Sequence, residues 1–578
     1  MTGCIWRVAG LSRDADEKSG RLAREVGVPP LVARIMCLRG LDDPSAAAGF
    51  LRADIGDLLD PFLLPDMDRA VVRVLRAVQG GEKIRVYGDY DVDGITSTCV
   101  LMGVLKGLGA DVDYYIPGRL SEGYGVNVDA IEKAAASGTS LLVTVDCGIT
   151  AVEEVERARQ HGMDVIITDH HEPADTLPRA HALVNPKRRD SRYAFPDLAG
   201  VGVAYKLASA LLRARAGTLD VPPPPDELLE LVALGTIADV VPLRGENRVL
   251  AKHGLARLSA TRSIGLRALI EKSGLAGREI GVGAVSFSLG PRLNAAGRLG
   301  DASLCVDLLT TSSAGRAAHI ASVLDRANQE RQSLEQAILD EAASMVETVD
   351  GQAQDAVLVL AGEGWHAGVI GIVASKLVER FYRPVILISL DGDEGRGSGR
   401  SIEAFDLYGG LCECADLLKE FGGHRHAVGL ATSRDAVGLL RDRMNDLGRR
   451  LLTPEDLARK VECDLEVRFG EVDLATAEGL AVLAPFGVGN PAPTFLSRGV
   501  RLVEYRGVGA GAKHLKMKLA QDGVVLDSIG FGLGNMAPTL YARGAAEVDI
   551  VYTIEVNQWN GTRQAQLNIK ELREAVTT

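Results

Sequence analysis

The sequence predicts an α/β protein: a mainly parallel sheet, a smaller α/β block joined to it by a long helix, and a strand-rich C-terminal block. Three observations carry this reading. Strand-like apolar runs alternate with helical periodicity over residues 83–168. The alternation resumes from about 355 to 450. Between the two, residues 314–348 hold no proline, and no glycine after Gly315.

Residues 1 to about 80 read as short helices, with turns at Pro29-Pro30, Asp43-Pro44 and Asp60-Pro61. Strands are expected at 83–88, 112–116, 141–146 and 164–168, and helices at 95–108, 127–137 and 151–161. Strands separated by helices in this way pair in parallel, with helices on both faces. A mostly helical stretch follows from about 198 to 310, broken by Pro222-Pro-Pro-Pro225. Over 314–348, Ile320, Val323, Leu324, Leu334, Ile338 and Met345 recur at helical spacing. A continuous helix there would span about 50 Å, as an interdomain strut or an amphipathic packing helix. In the second block, strands are expected at 356–361, 384–390 and 427–431 and a helix at 368–381. From about 460 short strands dominate. Lys513–Leu519 alternates, with His514, Lys516 and Lys518 on one face and Leu515, Met517 and Leu519 on the other. That pattern suits an ordinary half-buried strand as well as a basic binding face. The expected boundaries are 1–80, 81–313, 314–348, 349–455 and 456–578.

With 578 residues, 46% hydrophobic and 24% charged, the composition is that of a globular chain of roughly three to four domains. No apolar run approaches a membrane span and Met1–Arg7 lacks the apolar core of a secretory signal, so no membrane association and a cytoplasmic location are expected. The eight cysteines include no Cys-x-x-Cys pair, which argues for reduced, buried thiols over structural zinc. A net charge of −13 counts against wholesale electrostatic binding of nucleic acid and leaves room for a local basic channel.

Asp89, Asp91 and Asp93 occupy alternate positions directly after the apolar run Ile84–Tyr87. Carboxylates so close repel one another unless cations neutralise them. Two further apolar runs end in Asp146 and in Asp169-His170-His171, and Asp239 follows Leu234-Gly-Thr-Ile-Ala238. Parallel sheets bind ligands beyond the carboxyl ends of their strands, where most of these groups fall. Carboxylates with imidazole suit hydrated Mg²⁺ or Mn²⁺.

Together these motifs resemble the DHH phosphoesterase superfamily and, within it, the RecJ family of single-stranded-DNA-specific exonucleases. The resemblance covers nearly the whole chain. It rests on Gly88-Asp-Tyr-Asp-Val-Asp-Gly94, Val145-Asp-Cys-Gly148, Asp169-His-His-Glu-Pro173 and Gly235-Thr-Ile-Ala-Asp-Val-Val-Pro242. It continues through Gly290-Pro-Arg-Leu-Asn-Ala-Ala-Gly-Arg298, Gly364-Trp-His-Ala-Gly-Val-Ile-Gly371, Gly397-Ser-Gly-Arg-Ser401, Phe421-Gly-Gly-His424 and Pro485-Phe-Gly-Val-Gly-Asn-Pro491. Cys147 departs from the Asn expected in many relatives.

The resemblance implies a parallel-sheet DHH domain, a smaller DHH-associated domain beyond the long helix and a C-terminal OB-like β-barrel. It also implies a two-metal phosphodiesterase using Mn²⁺ or Mg²⁺ that releases 5′-mononucleotides from single-stranded DNA, 5′ to 3′, in repair and recombination. In that frame Asp146, alone on a middle strand, bridges two ions. Asp91 binds one and Asp93 the other, His170 and Asp239 complete the second, and Asp89 is a ligand or orients one. His171 donates a hydrogen bond to the scissile phosphate. Arg298, with Arg292 and Asn294, holds a 5′ or backbone phosphate. Gly395, Gly397 and Gly399 let backbone N–H groups approach a phosphate, with Arg400 and Ser401 supplying charge and a hydroxyl, and His424 of the tight turn Gly422-Gly-His424, Lys516 and Lys518 are further substrate contacts. Lys187-Arg-Arg189 carries no assigned role, and Trp365, which could equally be core packing, is left out of the site. Single-stranded DNA is the expected partner, with a single-strand-binding protein and a recombination helicase implied by resemblance, and a monomer is expected. A phosphoesterase acting on short oligonucleotides and a non-catalytic replication scaffold are the competing readings.

Overall fold

A computed structural model describes residues 4–119, 122–216, 226–347, 354–536, 547–559 and 561–575. The chain divides into two compact units. One comprises Met1–Cys4, Pro61–Asp239 and Gly254–Arg459, the other Ile5–Asp60, Val240–His253 and Lys460–Thr578. The helices of the first eighty residues therefore part company. Those up to Arg52 group with the C-terminal strands, and Met67–Gly80 with the parallel sheet. Pro30 and Pro44 open two of these helices, where a missing N–H costs nothing.

In the first unit five parallel strands lie in the order Val112–Tyr115, Ile84–Gly88, Leu141–Val145, Asp164–Thr168, Ala182–Val184. Every residue of Leu141–Val145 is buried, which is why the strand reads as an unbroken apolar run and not an alternating one. Chain order reverses on either side of Ile84–Gly88, so a crevice opens at its carboxyl end and that of Leu141–Val145. The helix Val92–Gly107 that follows is apolar all round and almost wholly buried. Four more helices extend this layer: Gly200–Ala216, Asp226–Ala238, Ile264–Lys272 and Gly290–Leu299. A π-helical turn, Val285–Leu289, leads into the last of them. The proline run 222–225 lies outside the described residues.

The long helix spans Ala314–Glu347. It is a packing helix: Ile320, Leu324, Ile338, Ala342 and Val346 are buried, and Asp325, Asn328, Arg331 and Glu335 form a buried polar row along it. Beyond it a mixed sheet runs in the order Leu418–His424, Ala427–Ser433, Glu394–Arg400, Val385–Asp391, Leu358–Glu363. Helices Ala367–Phe381 and Ala436–Leu451 pack in the two apolar clusters that flank it.

Two expectations change here. The glycine-rich stretch 395–399 is no phosphate-cradling loop. It is an inner strand whose backbone is paired on both sides, to Val385–Asp391 and to Ala427–Ser433. Its glycines make room for packing: a Cβ on Gly397 would meet Leu430 at 2.8 Å, and one on Gly399 would meet Leu407 and Val428 at 2.7 Å. Likewise Gly422–His424 ends an edge strand instead of forming a tight turn.

In the second unit, Phe495–Val508, His514–Gln521, Val524–Gly530, Thr562–Glu574 and Glu547–Trp559 close into a five-stranded barrel, because the first and last also pair. Leu515, Met517 and Leu519 point into its core, as their alternation predicts. That core is continuous with Leu22, Leu31, Val32, Ile35 and Met36 of the N-terminal helices. The strand Ile5–Val8, which the sequence reading missed, pairs in parallel with Lys460–Cys463. No described helix is long and apolar enough to cross a membrane.

Candidate metal centre

The turn after Ile84–Gly88 is held by close backbone packing: a Cβ on Gly94 would lie 2.5 Å from Asp89 N and O. Asp91 caps the buried helix, its Oδ1 accepting from Gly94 N at 3.0 Å. Asp93 lies in the first helical turn, fully buried. Its carboxylate accepts from Gly200 N at 2.7 Å and Val201 N at 2.8 Å, the amino end of the next helix. At the end of the middle strand Asp146 follows Val145 with φ 61°, a left-handed conformation uncommon outside glycine, asparagine and aspartate, and its carboxylate enters the crevice. A Cβ on Gly200 would strike the Asp146 carboxylate, so only glycine lets that helix approach.

Asp169 anchors the next strand end. Its oxygens accept from Ile149 N at 2.9 Å, His170 N at 2.7 Å and His171 N at 3.1 Å, and its Oδ1 lies 2.7 Å from His171 Nδ1. Burial opposes its charge, but these bonds, His171's first, hold its pKa below the usual carboxylate range. His171 titrates above its ordinary value: burial opposes the proton and Asp169 outweighs burial. Asn185 Nδ2 donates to His171 O at 3.0 Å, and Tyr124 Oη lies 3.2 Å from His171 Nδ1.

Three donor sets converge: Asp89, Asp91 and Asp146; Asp93, His170 and Asp239; and Asp146, His170 and His171. Within each set the donor atoms lie within 4.8 Å of one another. Asp146 and His170 each belong to two sets. His170 Nε2 is 3.1 Å from Asp146 Oδ1, 3.6 Å from Asp239 Oδ2 and 3.9 Å from Asp93 Oδ2. Asp89 Oδ1, Asp146 Oδ1 and His170 Nε2 are buried without a hydrogen bond. Such atoms are costly to bury unpaired. Burial, then Asp91, pushes Asp89 and Asp239 up to about 7. Burial and the neighbouring carboxylates raise Asp93 and Asp146 as well. Burial, then His171, drives His170 down to about 3, so its ring is neutral at neutral pH. Mutually repelling carboxylates beside an unprotonated imidazole fit divalent cations.

A cationic group lies beside this centre. The Arg119 guanidinium stands 5.0 Å over the ring of Tyr90, between Asp89 and Asp91. Arg298 Nη1 donates to Gly368 O at 2.8 Å, and Arg400 Nη1 to Gly399 O at 2.7 Å. Neither Arg298 nor Arg400 has an ion-pair partner among the described residues. Burial, then Arg119 and Arg331, pushes Arg298 down to about 10, and burial and Arg119 lower Arg400. Arg119 was missed in the sequence because no motif flags it.

Two other expected contacts, Arg292 and Ser401, are tied elsewhere. Arg292 is engaged by Asp325 at 3.0 Å and Ser288 O at 2.8 Å, and not by a free phosphate site. Ser401 Oγ donates to Phe405 O at 2.8 Å, whereas Ser398 Oγ sits 3.3 Å from Arg400 Nη1. Ser398, not Ser401, is the hydroxyl beside that guanidinium. His424 is exposed on the edge strand and Asn294 is half-buried. On the barrel, Lys516 pairs across from Arg506, and exposed Lys518 lies 3.6 Å from Glu504. Of the unassigned basic run, Arg188 is structural, bound to Asp66 and Asp190. Trp365 is buried, with Nε1 on Glu341.

A parallel sheet bearing acidic and histidine donors at its strand ends, followed by a second α/β block, defines a DHH-type protein. Residues 83–236 match the DHH family N-terminal domain, 354–448 the DHHA1 domain and 463–571 the RecJ OB domain. The chain is 42% identical over 563 residues to the single-stranded-DNA-specific exonuclease RecJ of Bacillus subtilis (strain 168), covering 97% of this chain and 70% of that one. It is 38% identical to the RecJ of Salmonella typhimurium, covering 97% and 98%. The crystal structure of Thermus thermophilus RecJ in complex with Mn²⁺ superposes with a TM-score of 0.83 at 33% identity, over 99% of this chain and 80% of that one. The chain belongs to the RecJ family.

Proposed function

We propose that the chain is a metal-dependent exonuclease that hydrolyses single-stranded DNA from the 5′ end to 5′-mononucleotides. One observation carries the reading: three buried donor atoms without a hydrogen bond, on Asp89, Asp146 and His170, converge among carboxylates that repel one another. The curated relatives bear the name single-stranded-DNA-specific exonuclease, and Thermus thermophilus RecJ was crystallised with Mn²⁺ and with Mg²⁺.

Asp146 would bridge two cations because it belongs both to the set of Asp89 and Asp91 and to that of His170. Asp239 would join His170 on the second. Asp93, already held by two backbone N–H groups, would contribute its remaining lone pairs. Two ions held there supply an activated water and neutralise the charge that develops on the phosphate. Asp169 fixes the ring of His171 so that its other nitrogen faces substrate. Arg298, Arg400 and Arg119 would hold the terminal phosphate, which accounts for guanidinium groups buried without acids. Ends bearing such a phosphate would be fixed at one distance from the metals, and one nucleotide would leave per cut. We assign the parallel sheet with its helical layer to catalysis, the mixed sheet to phosphate capture and the barrel to strand binding. We further place the protein in the cytoplasm as a monomer, with a single-strand-binding protein and a recombination helicase as partners.

The test is the product profile on a long 5′-phosphorylated strand with Mn²⁺. Mononucleotides appearing in order from the 5′ end support the reading. Cleavage confined to dimers and trimers would replace it with an oligonucleotide phosphoesterase.

A further inference from the structure

Phe287 is the most exposed of the large apolar side chains described, at 83%. It sits in the π-helical turn Val285–Leu289, and the helix Gly290–Leu299 continues from it without a break in helical backbone. This helix crosses the metal centre. Near its start a Cβ on Gly290 would lie 3.6 Å from Ala238, the neighbour of Asp239. Near its end a Cβ on Gly297 would lie 2.9 Å from Tyr90 O, between Asp89 and Asp91. Val285, Leu289, Leu293 and Ala296 are buried on one side. The exposed Phe287 and the half-buried Pro291, Asn294 and Arg298, spaced by four, three and four, share the less buried side. Arg292 points elsewhere, to Asp325. That side thus carries a cation at the Tyr90 end and an exposed aromatic ring at the Asp239 end.

A phenyl ring left in water forgoes the gain of burial, and a π turn is a common device at functional sites. Proteins that hold single strands without sequence preference stack bases on aromatic rings. Phe has no hydrogen-bonding group, so it reads stacking and no base identity. The rise from Phe287 to Arg298 is about 16 Å, or roughly five stacked nucleotides. Resting on the single-strand reading above, we infer that Phe287 is a base-stacking residue, holding one of the bases just downstream of the scissile bond.

The test uses the full chain carrying Asp146→Ala, which blocks cutting, with Mn²⁺ and 5′-phosphorylated strands. Each strand carries one 2-aminopurine, moved from position 1 to position 8. Quenching is expected at a position between 2 and 5, lost on Phe287→Ala and restored by Phe287→Tyr. Affinity should fall about tenfold in Phe287→Ala. Phe287→Leu, which keeps bulk and loses the π face, should behave like Ala. A strand that binds normally with an unchanged fluorescence profile in Phe287→Ala, or a Leu variant equal to wild type, overturns the stacking role alone. A chain that binds no strand at all overturns the single-strand reading and this inference with it.

Discussion

The metal centre and the surroundings of Arg248 are both places where the chain buries charge, and they do so in opposite ways. Arg248, in the barrel unit, is fully buried over the ring of Phe50 at 3.9 Å. Its nitrogens donate to Leu483 O at 2.8 Å, Ala484 O at 2.5 Å, Val482 O at 3.3 Å and Phe50 O at 3.4 Å. Burial, then Arg39, pushes it down to about 10, and four backbone carbonyls accept from it. It ties a helix end to the loop after it and is complete without a ligand. At the metal centre, Asp89 Oδ1, Asp146 Oδ1 and His170 Nε2 make no hydrogen bond, although the last two lie 3.1 Å apart. Burial alone therefore does not mark function. Convergent burial without partners does.

Four changes break or sharpen this contrast. Asp146→Ala should lower kcat by about a thousandfold or more while single-stranded DNA still binds, because it removes the shared donor of two sets. Steady-state cleavage and a filter-binding assay read the two effects. Wild-type-like turnover would end the bridging role. Arg248→Ala should do the reverse. Losing about 3 kcal/mol in urea unfolding, as buried carbonyls are left without donors, it should keep normal turnover per folded molecule.

Arg298→Ala should weaken binding of a 5′-phosphorylated strand about tenfold and leave metal occupancy intact. An unchanged preference for the phosphorylated end would remove it from the phosphate site. Smallest is a pH effect on the metal-free chain. Asp89 and Asp239 are raised to about 7 in the folded state, so the fold holds protons that the unfolded chain releases near pH 4. Stability from this source is present below pH 4 and is lost as pH rises towards 7. Tm in chelator should therefore fall from pH 5 to pH 7.5. Mn²⁺ should reverse the trend, because binding releases the same protons.

The convergence of Asp89, Asp91, Asp146 and His170 was legible because strands buried on both faces are unbroken apolar runs, and a carboxylate closing each run stands out. The glycine-rich strand was not. Gly395, Gly397 and Gly399 look like a loop in sequence, and only the packing of Leu430, Val428 and Leu407 shows why a strand needs them. Ile5–Val8 was missed because four residues carry no period of their own and pair with a partner more than 450 residues away. Arg119 and Ser398 escaped because their meaning comes from neighbours brought by other elements. Residues 5–60 joined the barrel unit for the same reason: the core that claims Leu22 and Ile35 lies at the far end of the chain.

The most direct measurement is anomalous diffraction from crystals soaked in Mn²⁺. Two peaks are expected on either side of Asp146, one shared with Asp89 and Asp91 and the other with His170 and Asp239. A pocket without anomalous density at saturating Mn²⁺, or peaks bound by other residues, would contradict the account.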